Sequence, residues 1–294
     1  MRSGPNMKVQ PLNDLDFLRR TGESAGRLGF ELYAVGGCVR DWLLGFAGSD
    51  IDFLCSKHPG ELVSEISREY GGSFSSFERF LTTRLFLRDG RRLDFAVFRK
   101  ESYSKPAALP SVSPACSAAE DLRRRDFSCN ALAVSLLPGS FGELSDPFGG
   151  FEDIKKGVLR ILHERSFLDD PTRIYRAARF AGRFGWRLDE RSNGLALEAV
   201  KTGAPGLLSR ERLRNELLKL LSEKRPLPAF ELLKGLGALK FLDERFSFTP
   251  AAFGGEDPLR RLAALARLAG PGFIKSLRLT RPMAKEIEKI NGAL

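Results

Sequence analysis

The chain has 294 residues, 43% of them apolar and 29% charged, enough for two or three packed domains of ordinary globular composition. A formal net charge of +10 favours polyanionic partners, nucleic acid first and a membrane surface second, although the same excess also serves solubility. Four cysteines (Cys38, Cys55, Cys116, Cys129) with no C-x-x-C spacing, and only two histidines, argue against a zinc site and against a disulfide framework.

The first residues, MRSGPNMKVQPLNDL, hold no apolar signal-peptide core, and Met7 offers an alternative start. No stretch approaches the ~20 apolar residues of a membrane span. A cytoplasmic protein without membrane contact is expected. In chain order, residues 12–28 carry helical spacing at Leu12, Leu15, Leu18 and Ala25, with Gly29 as a stop. ELYAVGG reads as a short buried strand ending in a glycine turn, VRDWLLG as a short helix stopped by Gly45, and GSDIDFLCS as the next strand. PGELVSEISREY (59–70) reads as a helix with Pro59 near its start. RFLTTRLFL and RRLDFAVFR read as strands joined by RDGR, whose Asp-Gly pair is a hairpin signal. Residues 101–119, rich in Pro, Ser and Ala, are expected to form a long exposed loop. SCNALAVSLL fits strand or helix. From residue 150 onward, segments such as DPTRIYRAARFAGRFG, RERLRNELLKLLSEK and PLRRLAALARLAG have helical spacing and strand signals nearly vanish. The expected fold class is α+β: a head with a small mixed or antiparallel sheet and helices, followed by an all-helical remainder.

Asp50 and Asp52 stand one residue apart, so a strand sends both carboxylates to one face and Ile51 and Phe53 to the other. The two acids repel unless a cation lies between them. The calcium-loop pattern fails, because Leu54 and Cys55 occupy its fifth and sixth places. Magnesium suits better, since it takes one or two protein carboxylates and completes its shell with water and substrate phosphates, and two such ions can bridge a nucleoside triphosphate and an attacking hydroxyl. Asp94, on a strand able to pair nearby, is placed as a third carboxylate. D-x-D alone also fits a strand edge with solvated acids. Upstream, Gly36 and Gly37 lie between a strand and a helix, where backbone amides can approach a phosphate; Arg40 follows in the first turn. This is neither G-x-G-x-x-G nor a P-loop.

G-G-x-V-R-D followed by D-x-D resembles the signature of the nucleotidyltransferase superfamily that includes DNA polymerase beta. The chain more closely resembles the class II CCA-adding enzymes and bacterial poly(A) polymerases. RRRDFSCNALA (123–133) resembles their second motif, DDPTRIYRAARFAGRFGW (169–186) their base-recognition segment, and ERLRNELLKLL (211–221) their last motif. The resemblance spans residues 30 to about 221. It implies a catalytic nucleotidyltransferase head over 1–138, a helical neck with base recognition over 139–205, and a helical body and short tail that bind RNA over 206–294. It further implies template-independent addition of CMP or AMP, from CTP and ATP, to the 3′ end of a tRNA. Asp50, Asp52 and Asp94 would hold two Mg2+ ions. Arg124, Arg125, Asp126 and Asn130 match the motif linked to ribose and phosphate binding. The family pattern E-D-x-x-R appears here as Asp169-Asp170-Pro171-Thr172-Arg173, with Asp for the first Glu. Asp170 and Arg173 would hydrogen-bond the base edge, and Arg176, Arg179 and Arg183 could reach triphosphate or RNA. The plain alternative for Asp170 is a helix cap, and for Arg183 a solvated face. Arg212 and Glu216, four apart, read as a helix-bracing ion pair, the Phe and Tyr residues of the helices as core, and Tyr175 as a candidate near the base pocket.

The basic stripe KSLRLTRPMAKEIEK suits the phosphates and shape of the tRNA acceptor and T-arm. The chain ends earlier than many members of the resembled family, so a reduced RNA grip, or one completed by another subunit, is expected. The sequence says nothing of oligomeric state. Addition of CCA, of CC only, of A only, or of poly(A) all remain open. A catalytically silent RNA-binding protein and a small-molecule nucleotidyltransferase are the readings of other classes.

Overall fold

The computed structural model describes residues 7–48 and 50–292. The first six residues and Ser49, part of the expected strand segment GSDIDFLCS, lie outside the described residues. The chain divides into two compact units: 1–102 with 110–156, and 103–109 with 157–294.

The first unit opens with helix α1 (Leu15–Arg27), which buries Phe17, Leu18, Thr21 and Ala25 along one stripe; Gly29 follows at φ 70°, a left-handed position that stops a helix. Next come β1 (Leu32–Val35), α2 (Gly37–Leu43), β2 (Ile51–Cys55), α3 (Gly60–Tyr70), β3 (Gly72–Phe77), β4 (Thr82–Leu87) and β5 (Arg92–Val97). Then follow β6 (Arg99–Ser102), β7 (Ser111–Pro114), α4 (Ala118–Arg123), β8 (Ala133–Ser135), β9 (Leu144–Ser145) and α5 (Gly150–Lys156). Seven strands form one mixed sheet in the order β3-β4-β5-β2-β1-β8-β9. Only the central pair β2 and β5 runs parallel; its crossover contains α3, β3 and β4.

Period-two alternation places the core. Ile51 and Phe53 on β2 and Leu93 and Phe95 on β5 are buried, and the Phe53 and Phe95 rings stack 4.4 Å apart. Thr83, Leu85 and Leu87 of β4 and Leu62, Val63 and Ile66 of α3 are buried as well, and α3 packs against β4. The intervening residues of β2, β5 and β4 point to the other face.

Four sequence readings need correction or completion. Residues 72–77 carried no strand expectation, yet β3 pairs with β4 along its whole length. Every residue of GSFSSF is exposed, so an edge strand held by backbone bonds alone leaves no burial pattern to read. The expected loop over 101–119 contains the end of β6, all of β7 and the start of α4. Its ribbon side chains are half-buried or exposed, which erased the alternation. SCNALAVSLL resolves into a single 3-10 turn at Ser128–Asn130 and then β8, paired to β1. Residues 139–156, expected in the neck, pack with the first unit: β9 pairs with β8, Asp146 caps α5 through Gly150 and Phe151 amides, and Asp153 accepts from the Ser128 hydroxyl.

Helix α4 carries a capping box at its N-terminus. Ser117 accepts from the Glu120 amide, and Glu120 reaches back to the Cys116 amide at 2.8 Å. Ser117→Ala is therefore expected to destabilise this unit by about 1 kcal/mol, read as a lower denaturation midpoint at unchanged slope.

The second unit contains β10 (Val158–Leu159), α6 (Ser166–Asp169), α7 (Thr172–Phe184), β11 (Arg187–Leu188), α8 (Glu190–Lys201) and α9 (Arg210–Leu221). It continues with α10 (Leu227–Gly235), α11 (Pro258–Ala269), α12 (Pro271–Ser276) and α13 (Arg281–Gly292). The two-residue strands β10 and β11 pair in parallel; the rest is helical. Asp189, Ser209 and Asp257 supply side-chain caps to α8, α9 and α11. Helix α7 packs on α9 and α10 through Ile174, Tyr175, Ala177 and Ala178, all fully buried. Phe230 lies at the centre of an aromatic cluster with Phe246, Phe248 and Phe253. Arg261, 2% exposed, donates to the carbonyls of Leu221 and Glu223 at 2.5 and 2.7 Å and to that of Gly255. Its charge is stabilised by carbonyls at the end of a neighbouring helix.

Candidate active site

In the first unit, Asp50 and Asp52 are both exposed while Ile51 and Phe53 are buried, as strand alternation requires. Asp52 and Asp94 are direct register partners across the parallel pair β2 and β5, which sets two carboxylates about 5 Å apart in strand spacing. Asp52 is held above the usual carboxylate range. Its side chain keeps an edge open to solvent, yet the packed strands around it remove part of its water, which is the largest cause; Asp94 and Asp50 repel it as well, and Arg125 pulls the other way. Asp94 is tied by Arg84 Nε at 2.7 Å and by Arg92 Nε at 3.3 Å. Sequence reasoning missed Arg84 and Arg92 on Asp94, because only the β4–β5 register, Arg84 opposite Asp94, reveals the first of them.

These acids offer hard oxygen donors. Among the described residues no three His, Cys, Asp or Glu side chains are gathered as a ready-made metal cluster. A magnesium-type ion needs no such cluster, since one or two carboxylates suffice with water and phosphate oxygens filling the shell. The Asp52/Asp94 pair, with its mutual repulsion, fits that demand.

The raised pKa has a stability consequence. A carboxyl whose folded pKa lies above its unfolded value of about 3.9 favours folding while protonated and costs stability once ionised. Asp52→Asn removes that cost. In metal-free buffer the variant is expected to melt higher than the parent at neutral pH, with the gap narrowing as pH falls through the folded pKa. A parent that is the more stable of the two at pH 7 would overturn the assignment.

Gly36 follows β1 at φ 80°, ψ −124°, a conformation open to glycine. A Cβ there would lie 2.6 Å from Arg125 Nη1, so the turn also leaves room for a guanidinium to approach the backbone. Gly37 begins α2. Arg40 is buried; its Nη1 donates to Asn130 Oδ1 at 2.6 Å, and its Nε and Nη2 donate to Asp41 Oδ1 at 2.9 and 2.7 Å. Asn130 in turn donates to Asp126 Oδ1 at 3.0 Å, which also accepts from the Phe127 amide. The second-motif residues thus form a buried chain, Asp126 to Asn130 to Arg40 to Asp41, beneath the glycine turn. Arg124 and Arg125 both reach the fully buried Asp121, and Arg124 also reaches Glu101 at 2.5 Å.

In the second unit, Asp169 ends α6 and pairs with Arg165 at 3.2 Å. Asp170 precedes α7 rather than sitting on one of its turns. Its Oδ1 accepts from the Thr172 amide, the Thr172 hydroxyl and Arg212 Nη2, the last at 2.6 Å. Arg212 also donates to the Ala107 carbonyl at 3.0 Å. Arg173 is buried and donates from Nη1 to Ser166 Oγ at 2.6 Å, with His163 Nε2 at 3.4 Å. Asp170 and Arg173 are therefore each held by a partner that sequence spacing does not reveal.

Several expectations change here. Arg212 does not brace Glu216; it reaches Asp170, while Glu216 pairs with Lys219 at 2.8 Å. Side-chain direction, not four-residue spacing, decided that. Tyr175 is fully buried with its hydroxyl on the Ala238 carbonyl, so it is core. Arg183 pairs with Glu223 at 2.5 Å, and Arg179 lies 3.9 Å from the same carboxylate. Burial, then the neighbouring Arg176 and Arg183, hold the Arg179 guanidinium below its usual pKa despite Glu216 and Glu223. Arg176 lies half-buried on the same helix, its Cζ 5.6 Å from the Phe180 ring centre.

Comparison with known proteins places the chain among related ones. The Poly A polymerase head domain family matches residues 32–160, and the family described as "Probable RNA and SrmB- binding site of polymerase A" matches 206–245. An A-adding tRNA nucleotidyltransferase of Halalkalibacterium halodurans is 39% identical over 76% of this chain and 52% of its own length. A CC-adding tRNA nucleotidyltransferase of Deinococcus radiodurans is 38% identical over 77% of this chain and 58% of its own. The chain thus spans about half the length of these curated relatives. The solved structure of the Thermotoga maritima CCA-adding enzyme complexed with tRNA-CCA superposes with a TM-score of 0.78 at 31% identity, covering 98% of this chain and 73% of that one. With the paired aspartates, the glycine turn and the second-motif network in place, the chain belongs to the class II tRNA nucleotidyltransferase family.

Proposed function

We propose that this protein adds CMP, AMP or both, from CTP and ATP, to the 3′ end of tRNA without a nucleic-acid template. The observation that carries the reading is Asp52 opposite Asp94 on adjacent strands, beside the Gly36 turn. The head over 1–138, with residues 139–156 packed in the same unit, carries the chemistry; residues 157–205 of the neck select the base, and the body and tail over 206–294 hold the RNA. A cytoplasmic location fits, and no described helix is long and apolar enough to cross a membrane.

Asp50, Asp52 and Asp94 would hold Mg2+, which when bound would polarise the α-phosphate and lower the pKa of the RNA 3′-hydroxyl. The chain's own residues do the positioning. The backbone around Gly36 and Gly37 gives the triphosphate close approach, and Arg125, next to that turn, supplies positive charge. The chain of Asp126, Asn130 and Arg40 fixes the turn from below, and with Arg124 it favours a ribonucleotide. In the second unit, Asp170 as acceptor and Arg173 as donor read the base edge, with Asp169, Arg176 and Arg179 around them. The rate gain comes from alignment and charge stabilisation, because pyrophosphate is already a competent leaving group.

A narrower second reading is A-only addition, favoured because three relatives at 37–40% identity are named A-adding enzymes. One assay separates the readings. tRNAs ending before the first C, after CC, and after CCA are incubated with CTP or ATP singly and together. CCA addition extends the first two to completion, A-only addition extends only the CC-ended RNA with ATP, and absence of any extension rejects the function.

A further inference from the structure

The sheet face that bears Asp52 and Asp94 continues across β4 to the edge strand β3. Register places Arg84 beside Asp94, Phe86 beside Arg92, Ser73 beside Phe86, and Phe77 beside Thr82, all on this face. The alternate residues of β4, Thr83, Leu85 and Leu87, go to the covered face under α3. Phe77 is 43% exposed and Phe86 47% exposed, an unusual fate for two large rings on one short stretch of open sheet. Between them stands Arg84, its Cζ 5.7 Å from the Phe77 ring centre and its Nε on Asp94. Ser73 and Ser75 keep the space beside the rings open.

Aromatic faces interleaved with guanidinium groups suit nucleobases and phosphates more than an apolar peptide. The position makes the choice specific. Asp52 has two flanks in the sheet order. On one side lies β1 with the glycine turn; on the other lie β5, β4 and β3. β4 is two strands from β2, about 10 Å at ordinary strand spacing. If the triphosphate takes the glycine flank, as the proposed function requires, the β5–β4–β3 flank is left for the RNA strand whose end is extended.

We propose that Phe77 and Phe86, with Arg84 between them, form a stacking shelf for the unpaired nucleotides of the RNA 3′ end, next to the catalytic aspartates. The shelf rests on the functional reading above for its substrate, and binds through ring stacking and one guanidinium rather than through base-edge hydrogen bonds. It therefore tolerates different terminal bases, as a strand growing by successive additions demands.

The test uses the full chain and a short single-stranded RNA ending in CC, with 2-aminopurine in place of the base preceding them, in EDTA. Binding to the unaltered protein is expected to quench the 2-aminopurine. Phe77→Ala and Phe86→Ala should each weaken binding about tenfold and reduce the quench. Phe86→Tyr, which keeps the ring, should restore both. In the addition assay the same Ala variants should raise the RNA KM by a similar factor while the KM for CTP and ATP stays fixed. Undiminished quench and affinity in the Phe77→Ala, Phe86→Ala double variant overturn the proposal. So does an unaltered protein that neither binds nor quenches this RNA. So does a concentration-dependent dimer of the parent that the double variant abolishes, which would assign the rings to a second copy of the chain. Quenching that survives in a protein showing no nucleotide addition leaves the shelf standing and rejects only the proposed activity.

Discussion

Asp52→Asn is expected to lower nucleotide addition by on the order of a thousandfold or more while leaving tRNA binding measurable. The substitution keeps the size of the side chain and removes the charge that would hold a divalent cation opposite Asp94. Asp94 and Asp50 repel the Asp52 carboxylate and, with the loss of water around it, hold its pKa above the usual range. Such crowding costs folding stability and is retained where it serves charge-dependent chemistry. Because the variant should also be the more stable fold at neutral pH, unfolding cannot account for its loss of activity. Addition rates near the parent's would sink the two-metal assignment. Activity of the parent is expected to fall toward acid pH as Asp52 takes up its proton, since a protonated carboxyl is a poor cation ligand.

The second large effect is expected at Asp170. Asp170→Ala removes the acceptor of the Thr172 amide and of Arg212 together. The lost cap should cost about 1 kcal/mol, and Arg212 loses its carboxylate. If Asp170 also reads the incoming base, the preference for CTP and ATP over UTP and GTP should fall about ten- to a hundredfold, the worth of one good base-edge contact. Arg212→Ala separates the two roles. It breaks the same ion pair but leaves the carboxylate in place, so it should lower stability while keeping the ranking of the four triphosphates in kcat/KM. Equal loss of ranking in both variants would mean that the ion pair, not the base contact, governs selection.

The helical half of this protein was readable from spacing because its helices are amphipathic and capped by Asp and Ser at their starts. The α7 segment TRIYRAARFAGRF declares its buried stripe through Ile174, Tyr175, Ala177 and Ala178. In the head, β2 and β5 were readable because their alternation is bounded by a sharp inside and outside. β3 and the β6–β7 ribbon were not, since strands held by backbone pairing with exposed side chains carry no hydrophobic period. Only the strand pairing puts Phe77 and Phe86 on the aspartate face.

The sequence by itself determined which chemistry is at hand: the G-G turn, D-x-D and the R-R-D-F-x-x-N-A-L-like run are local, and local spacing fixes which side chains share a strand face or a turn. Tertiary structure decided the partners. Asp52 meets Asp94 because a parallel crossover brings strands 42 residues apart into register, Arg212 turns to Asp170 rather than to Glu216, and Arg40 is buried on Asn130, 90 residues away. Such pairings depend on strand register and side-chain direction after packing, and no spacing along the chain encodes either.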